Sequence, residues 1–186
     1  MSARDPVWVF GYGSLVWRPG MAHGQRRAAR IEGWARRFWQ ASTDHRGTPE
    51  APGRVLTLIE APATLWGVAY AIDADAWPAI EPALEHREQQ GYARLMVDAG
   101  LAAADRAGPV VETVRAHLYL ATPANPYFIG PEDVAATASI VRRAVGPSGG
   151  NREYVVELAR ALAALGAGDP DVDALVAALG AGDRDA

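Results

Sequence analysis

Val7-Trp8-Val9-Phe10 is a run of apolar, β-prone residues behind Pro6, and it stops at Gly11-Tyr12-Gly13-Ser14. This pattern predicts a buried strand feeding a glycine-rich turn. Residues 27–41 are aromatic and β-leaning and break at Gly33, which predicts one or two strands. A polar loop follows from Ser42 to Pro52. Arg54 to Ile59 and Leu65 to Ile72 each read as a strand, with Gly67 marking a bulge or a close backbone approach. The period then changes. Trp77, Ile80 and Leu84 fall three and four apart, acids crowd the first turn and Gly91 lies beyond the end, so 73–88 is a predicted helix. Strands return at Tyr92 to Val97 and Val110 to Thr122, on either side of an Ala/Gly/Asp-rich excursion.

The last third turns helical. Pro131 takes the first position of a helix ending at Gly146, Asn151 caps a second that runs to about Gly166, and Asp169-Pro170 opens a third that Gly180 stops. The tail beyond it reads as frayed. Strands in the first two-thirds with helices behind them predict an α+β fold, a small mixed β-barrel or curled sheet with helices outside. Neither a repeat nor a linker divides the 186 residues, so 1–186 reads as a single domain, with 167–186 as an accessory C-terminal helix and tail.

Composition narrows the chemistry. All 18 cationic residues are arginine and the cysteine count is zero. That excludes Schiff-base and phosphate-loop lysines, thiol nucleophiles, disulfides and thiolate metal sites. Catalysis is left to carboxylates, the four histidines, hydroxyls or backbone. The apolar stretch near Val155 is too short to span a membrane and is broken by Glu157 and Arg160, while Asp5 and Pro6 interrupt any signal peptide. The chain therefore reads as cytoplasmic.

Charge is uneven. Residues 1–46 carry eight arginines against Asp5, Glu32 and Asp44, a net +5 in a chain of net −4. Arg26, Arg27, Arg30, Arg36 and Arg37 interleave with Trp34, Phe38 and Trp39, so a nucleic-acid surface is one reading of this stripe. The other, favoured by the acidic pI of about 5.5, is a strand pair whose arginines are solvated or paired with the acidic remainder. No nucleic-acid partner is expected.

Several motifs fail on inspection. Gly11-Tyr12-Gly13 begins like a dinucleotide fingerprint, but Val16 stands where its third glycine belongs and Trp17-Arg18-Pro19 does not continue a helix. Ser14 is no nucleophile elbow, since Tyr12 and Val16 occupy the glycine positions. Asp169, Asp171 and Asp173 lack the glycine and glutamate of a calcium loop. His23, His45, His86 and His117 show no metal spacing.

Two features remain. The turn at Tyr12-Gly13-Ser14 lets backbone N–H groups converge on a carboxylate or an oxyanion. Glu88 ends the 73–88 helix, where an acid opposes the macrodipole, and a residue that breaks a local rule is a place to look for function. Its bland alternative is an exposed acid paired with Arg87 or Arg94.

From Val7-Trp8-Val9-Phe10-Gly11-Tyr12-Gly13-Ser14-Leu15-Val16-Trp17-Arg18-Pro19 onward the chain resembles the ChaC-type γ-glutamylcyclotransferases. Further matches run in order through Arg36-Arg37-Phe38-Trp39-Gln40, His45-Arg46-Gly47, Pro52-Gly53-Arg54, Trp66-Gly67-Val68-Ala69-Tyr70, Arg87-Glu88, Gly91-Tyr92, Tyr119-Leu120-Ala121-Thr122-Pro123, Gly146-Pro147-Ser148-Gly149, Asn151 and Tyr154. The resemblance covers about 7–166. Departures are Gln90, where the family has a second glycine, and the unmatched 99–109 segment.

The resemblance implies a small mixed β-barrel with surrounding helices, and cleavage of glutathione to 5-oxoproline and cysteinyl-glycine without metal or cofactor. It assigns Glu88 as proton acceptor. Val9, Phe10, Gly11, Tyr12, Gly13, Ser14 and Leu15 become the substrate-binding loop, and Tyr154 a pocket residue. Arg54 is a further candidate partner for a substrate carboxylate, against a reading as a strand-edge charge. Two other functions stay open: turnover of other γ-glutamyl amines or amino acids, and a non-catalytic binder using the basic aromatic stripe.

Overall fold

The computed structural model describes residues 4–88 and 90–181. Among them five strands, β1 (Val7–Gly11), β2 (Gln25–Ser42), β3 (Gly53–Ile72), β4 (Tyr92–Ala102) and β5 (Val110–Ala121), close a barrel in the order β1-β3-β2-β4-β5. β1 runs antiparallel to β3 and parallel to β5, which seals the cylinder and leaves no open edge there. Phe10, Ile31, Tyr70, Leu101 and Leu118 are fully buried and belong to one continuous core.

β2 and β3 are longer than expected because they pair through the position that looked like a break. Gly33 takes φ 84° and the register shifts between Glu32 and Trp34. Glu32 pairs with Thr64 and Trp34 with Glu60, so Ala61, Pro62 and Ala63 bulge out. Proline costs no ladder bond in such a bulge, and the two strands expected over 54–72 are therefore one. Gly67 is a close approach, as expected: a Cβ there would lie 2.3 Å from the Gly11 carbonyl oxygen. β4 likewise runs on to Ala102. Ala99, Leu101 and Ala102 are buried, so the first part of the Ala-rich excursion is barrel wall.

Helices α1 (Trp77–Arg87), α2 (Val134–Arg143), α3 (Asn151–Leu165) and α4 (Pro170–Ala181) surround the barrel. α1 begins four residues later than its sequence pattern indicated, after a turn in which the Ala76 N–H donates to the Asp73 carbonyl. α2 starts after Asp133, whose carboxylate accepts the Ala135 and Ala136 N–H groups, so Pro131 lies outside it. It ends before Ala144, and Gly146 belongs to a short hairpin of β6 (Val145–Gly146) and β7 (Gly149–Gly150).

Asn151 is not the cap of α3. Gly150 holds that place, and the Asn151 amide accepts the Arg54 N–H at 2.6 Å and donates to the Arg54 carbonyl at 2.8 Å. A side-chain amide here does what a neighbouring strand would do for β3. Gly166 ends α3 in the left-handed conformation at φ 71°. α4 runs through Gly180, and its Val172, Leu175 and Leu179 join the main core. The expected frayed tail at 182–186 lies outside the described residues.

Each arginine of the basic stripe meets an acceptor. Arg26 faces Asp105, Arg30 Glu32, Arg37 Asp171, and Arg27 the Ala102 carbonyl. Arg36 is 2% exposed and donates to the Tyr12 carbonyl at 2.9 Å, to the Trp66 carbonyl and to Asp169 at 3.0 Å. One guanidinium thus ties the glycine turn, β3 and the start of α4 together. Asp169 also accepts the Asp171 and Val172 N–H groups, so it caps the helix it anchors. Breaking a buried pair by removing one charge is expensive. Asp169→Asn keeps the cap but leaves Arg36 uncompensated, and is expected to lower unfolding free energy by about 3 kcal/mol in urea melts, with no rescue by salt.

Candidate active site

Two connected recesses open at the end of the barrel where β1 leads into the glycine turn. The larger, about 230 Å³, is walled by residues of β2 and its following loop together with Arg18, Arg87, Gln90 and Ser148. The smaller, about 40 Å³, is formed by Tyr12, Gly13, Ser14, Leu15, Leu56, Glu88, Tyr92, Tyr119 and Tyr154. Ser14, Glu88, Tyr92 and Tyr154 line both, so they stand at the junction.

Glu88 follows the last residue of α1, and its N–H closes the helix on the Leu84 carbonyl at 3.0 Å. Its side chain is 16% exposed, with the Arg87 Nε 3.6 Å from its Oε1. Burial pushes the carboxyl from its ordinary 4.5 up to about 7; Arg87 opposes the shift and Asp44 adds to it. The ion pair with Arg87 exists, as the bland reading required, but the carboxyl is not a surface group. Arg94 instead pairs with Glu81 and Glu85.

Arg87 is held firmly. It donates to the Arg18 and Pro19 carbonyls, each at 2.8 Å, and to Ser14 Oγ at 2.8 Å. The end of α1 is thereby fastened to the glycine turn. Ser14–Val16 form a single 3-10 turn in which Val16 N–H bonds to the Gly13 carbonyl. Among the described residues the N–H groups of Gly13, Ser14 and Leu15 have no partner, the usual consequence of starting such a turn. Space at Gly13 is tight, since a Cβ there would lie 3.2 Å from the Tyr154 hydroxyl, which would have to give by a few tenths of an ångström.

Four tyrosines, Tyr12, Tyr92, Tyr119 and Tyr154, complete the wall of the small recess. Burial raises Tyr12 and Tyr92 well above 10, and raises Tyr154 to about 12, so all three stay neutral donors at any working pH. The Tyr154 oxygen accepts the Leu56 N–H at 3.4 Å, which leaves its own O–H to donate elsewhere. Arg46 stacks over the Tyr154 ring at 5.6 Å, and Trp17 meets its edge at 5.4 Å. Gln90, the departure after Glu88, donates to Thr43 Oγ1 at 3.0 Å and accepts from Asn125 at 2.7 Å, which pins that loop.

Of the residues singled out in the sequence, Tyr12, Gly13, Ser14, Leu15, Glu88 and Tyr154 converge on the recesses. Val9, Phe10 and Gly11 lie behind them in the barrel wall, with Val9 packed on Leu15, Ile72, Leu84 and Tyr119. Arg54 points elsewhere, paired with Glu132 through two bonds of 2.9 and 2.8 Å. Gln40, Asp44, Arg46, Tyr92 and Ser148 also reach the site. The sequence quoted most of these within motifs without giving them a role, because their convergence depends on contacts between distant segments. The arrangement suits one chemistry: a carboxyl able to take and return a proton near neutrality, opposite donors that stabilise a carboxylate or an oxyanion.

Residues 7–181 match the family of ChaC-like proteins. The glutathione-specific gamma-glutamylcyclotransferase 1 of Danio rerio is 36% identical over 176 residues, covering 93% of this chain and 86% of that protein. The glutathione-specific gamma-glutamylcyclotransferase of Saccharomyces cerevisiae is also 36% identical, over 84% of this chain and 85% of the relative. A crystal structure of a yeast γ-glutamyl cyclotransferase specific to glutathione superposes with a TM-score of 0.87 at 31% identity, covering 96% of this chain and 97% of the other. The fold is thus shared with a known group of proteins, and this chain belongs to the ChaC-like family.

Proposed function

We infer that this protein is a cofactor-independent γ-glutamylcyclotransferase that cleaves glutathione to 5-oxoproline and cysteinyl-glycine. The observation that carries the chemistry is Glu88, a carboxyl pushed up to about 7 at the junction of the two recesses. The names of its relatives support glutathione as the substrate.

The γ-glutamyl group enters the small recess. Glu88 removes a proton from the α-ammonium, and the freed amine attacks the γ-carbonyl carbon to close a five-membered lactam. Holding both ends of the glutamyl chain makes this attack intramolecular, where effective molarities reach about 10⁵–10⁸ M. The Gly13, Ser14 and Leu15 N–H groups and the Tyr154 phenol supply the donors for the substrate carboxylate and the oxyanion. As the tetrahedral intermediate collapses, the C–N bond to cysteine breaks and the Glu88 carboxyl returns its proton to the leaving nitrogen. The carboxylate so freed takes the second proton from the ring nitrogen, which completes the lactam, and passes it to the departing amine, which leaves as an ammonium. Lysine and cysteine are not missed, because the nucleophile belongs to the substrate. The reading places the enzyme in the cytoplasm, where thiols stay reduced.

Glu88→Gln is expected to lower kcat/KM for glutathione by about 10²–10⁴-fold, measured as 5-oxoproline release; equal activity in both proteins rejects the mechanism. A panel of other γ-glutamyl amines and amino acids, ranked by kcat/KM, tests the substrate. Glutathione is expected to lead it.

The same variant gives a second, independent result. The Glu88 carboxyl has a higher pKa folded than unfolded, so folding takes up a proton between about 4.5 and 7. Below that window the group is neutral in both states and costs nothing; stability is lost as pH rises through 7, where the buried charge must be carried. Glu88→Gln is therefore expected to match wild type near pH 4.5 and to exceed it at pH 8, by up to about 3 kcal/mol in denaturant melts.

A further inference from the structure

Gln40 is 1% exposed and lies on β2 in the wall of the large recess. Its Nε2 donates to Asn125 Oδ1 at 3.3 Å. The Asn125 amide is itself fixed by two backbone partners: its Nδ2 donates to the Gln90 carbonyl at 2.7 Å, and its Oδ1 accepts the Tyr127 N–H at 2.8 Å. Its oxygen therefore faces Gln40, and only the NH₂ end of the Gln40 amide is able to meet an oxygen. The other end has no freedom left. Gln40 Oε1 is a buried acceptor without a hydrogen-bond partner among the described residues. Buried polar atoms are rarely left so, and one in a pocket wall calls for a ligand that brings a donor.

The division of the pocket selects the donor. Gln40 lines the large recess and not the small one. With the γ-glutamyl group in the small recess and the scissile nitrogen at Glu88, the rest of the substrate extends into the large recess. The scissile nitrogen exchanges its proton with Glu88, so the next N–H along the chain belongs to the peptide bond between cysteine and glycine. Arg18 and Arg46 line the same recess and suit the terminal carboxylate beyond that bond.

We propose that Gln40 Oε1 accepts the N–H of the peptide bond in the departing dipeptide, which makes Gln40 the residue that favours a peptide over a single amino acid or simple amine as leaving group. This rests on the glutathione reading above. A substrate site built to hydrogen-bond a group rejects analogues lacking it, because its own buried atom is then left unpaired.

The test is a cycle between enzyme and substrate. Glutathione is compared with an analogue in which an ester oxygen replaces the N–H of the cysteine–glycine bond, using wild type and Gln40→Met. Wild type is expected to prefer glutathione in kcat/KM by about tenfold. Gln40→Met is expected to lose about tenfold on glutathione, little on the ester, and to bring the ratio near one. A ratio equal in the two proteins overturns the proposal, since a merely structural role for Gln40 would weaken both substrates alike. So does a wild type that does not discriminate, a result that needs no variant and stands even if Gln40→Met fails to fold. No 5-oxoproline from glutathione in wild type overturns the functional reading and this proposal with it, whereas turnover without discrimination overturns this proposal alone.

Discussion

Glu88 keeps its carboxyl largely out of water at the junction of two recesses, and a charge in that position costs free energy that the surroundings offset only in part. Arg87 lies 3.6 Å away, close enough to oppose the shift but too far for a tight pair, and three of its donor contacts go to the Arg18 and Pro19 carbonyls and Ser14. A closer, two-bonded Arg87 would hold the carboxylate ionised at low pH and leave it a poor proton donor to a departing amine. The present arrangement leaves burial in control, and the group sits near 7. The phenols of Tyr12, Tyr92 and Tyr154 enclose it without competing for its proton, because burial drives their own pKa values up.

The turn facing that carboxyl is fixed by arginines. Arg36 holds the Tyr12 carbonyl from inside the protein, Arg87 holds Ser14 from the front, and Arg46 supports the Tyr154 ring while donating to the Gly150 carbonyl. Each binds several acceptors at once with one planar fork, a geometry that a lysine ammonium on its flexible stem does not reproduce. In this chain an all-arginine cation set is therefore structural as well as compositional. The basic stripe of β2 shows the same habit: Arg26, Arg27, Arg36 and Arg37 each meet an internal or neighbouring acceptor.

Much of this was legible in the sequence. The strand-to-glycine turn and the acid at the wrong end of a helix stood out by local rules, and both lie at the recess. Local rules also misled. Residues 54–59 and 65–72 read as two strands, yet they are one, with Pro62 in a bulge opposite Gly33 where no ladder bond is required. The Ala-rich stretch looked irregular, although its Ala99, Leu101 and Ala102 are buried in the barrel wall. Asn151 looked like a cap because its amide suits one, and instead completes the hydrogen bonds of Arg54, 97 residues away. Gln40 stood in a matched motif without a role, since its orientation is set by Asn125, 85 residues away. What local pattern does not encode is which distant backbone group a polar side chain will satisfy.

A buried carboxyl near neutrality is the claim on which the mechanism turns, and it is open to direct observation. Carbon-detected NMR of protein labelled at the glutamate δ-carbon, with Glu88→Gln to assign the resonance, follows this one group through its titration. A midpoint near 7 is the result expected from its burial. A midpoint in the ordinary glutamate range, about 4 to 5, would show a solvated or tightly paired carboxylate and contradict its role as the group that takes and returns the proton.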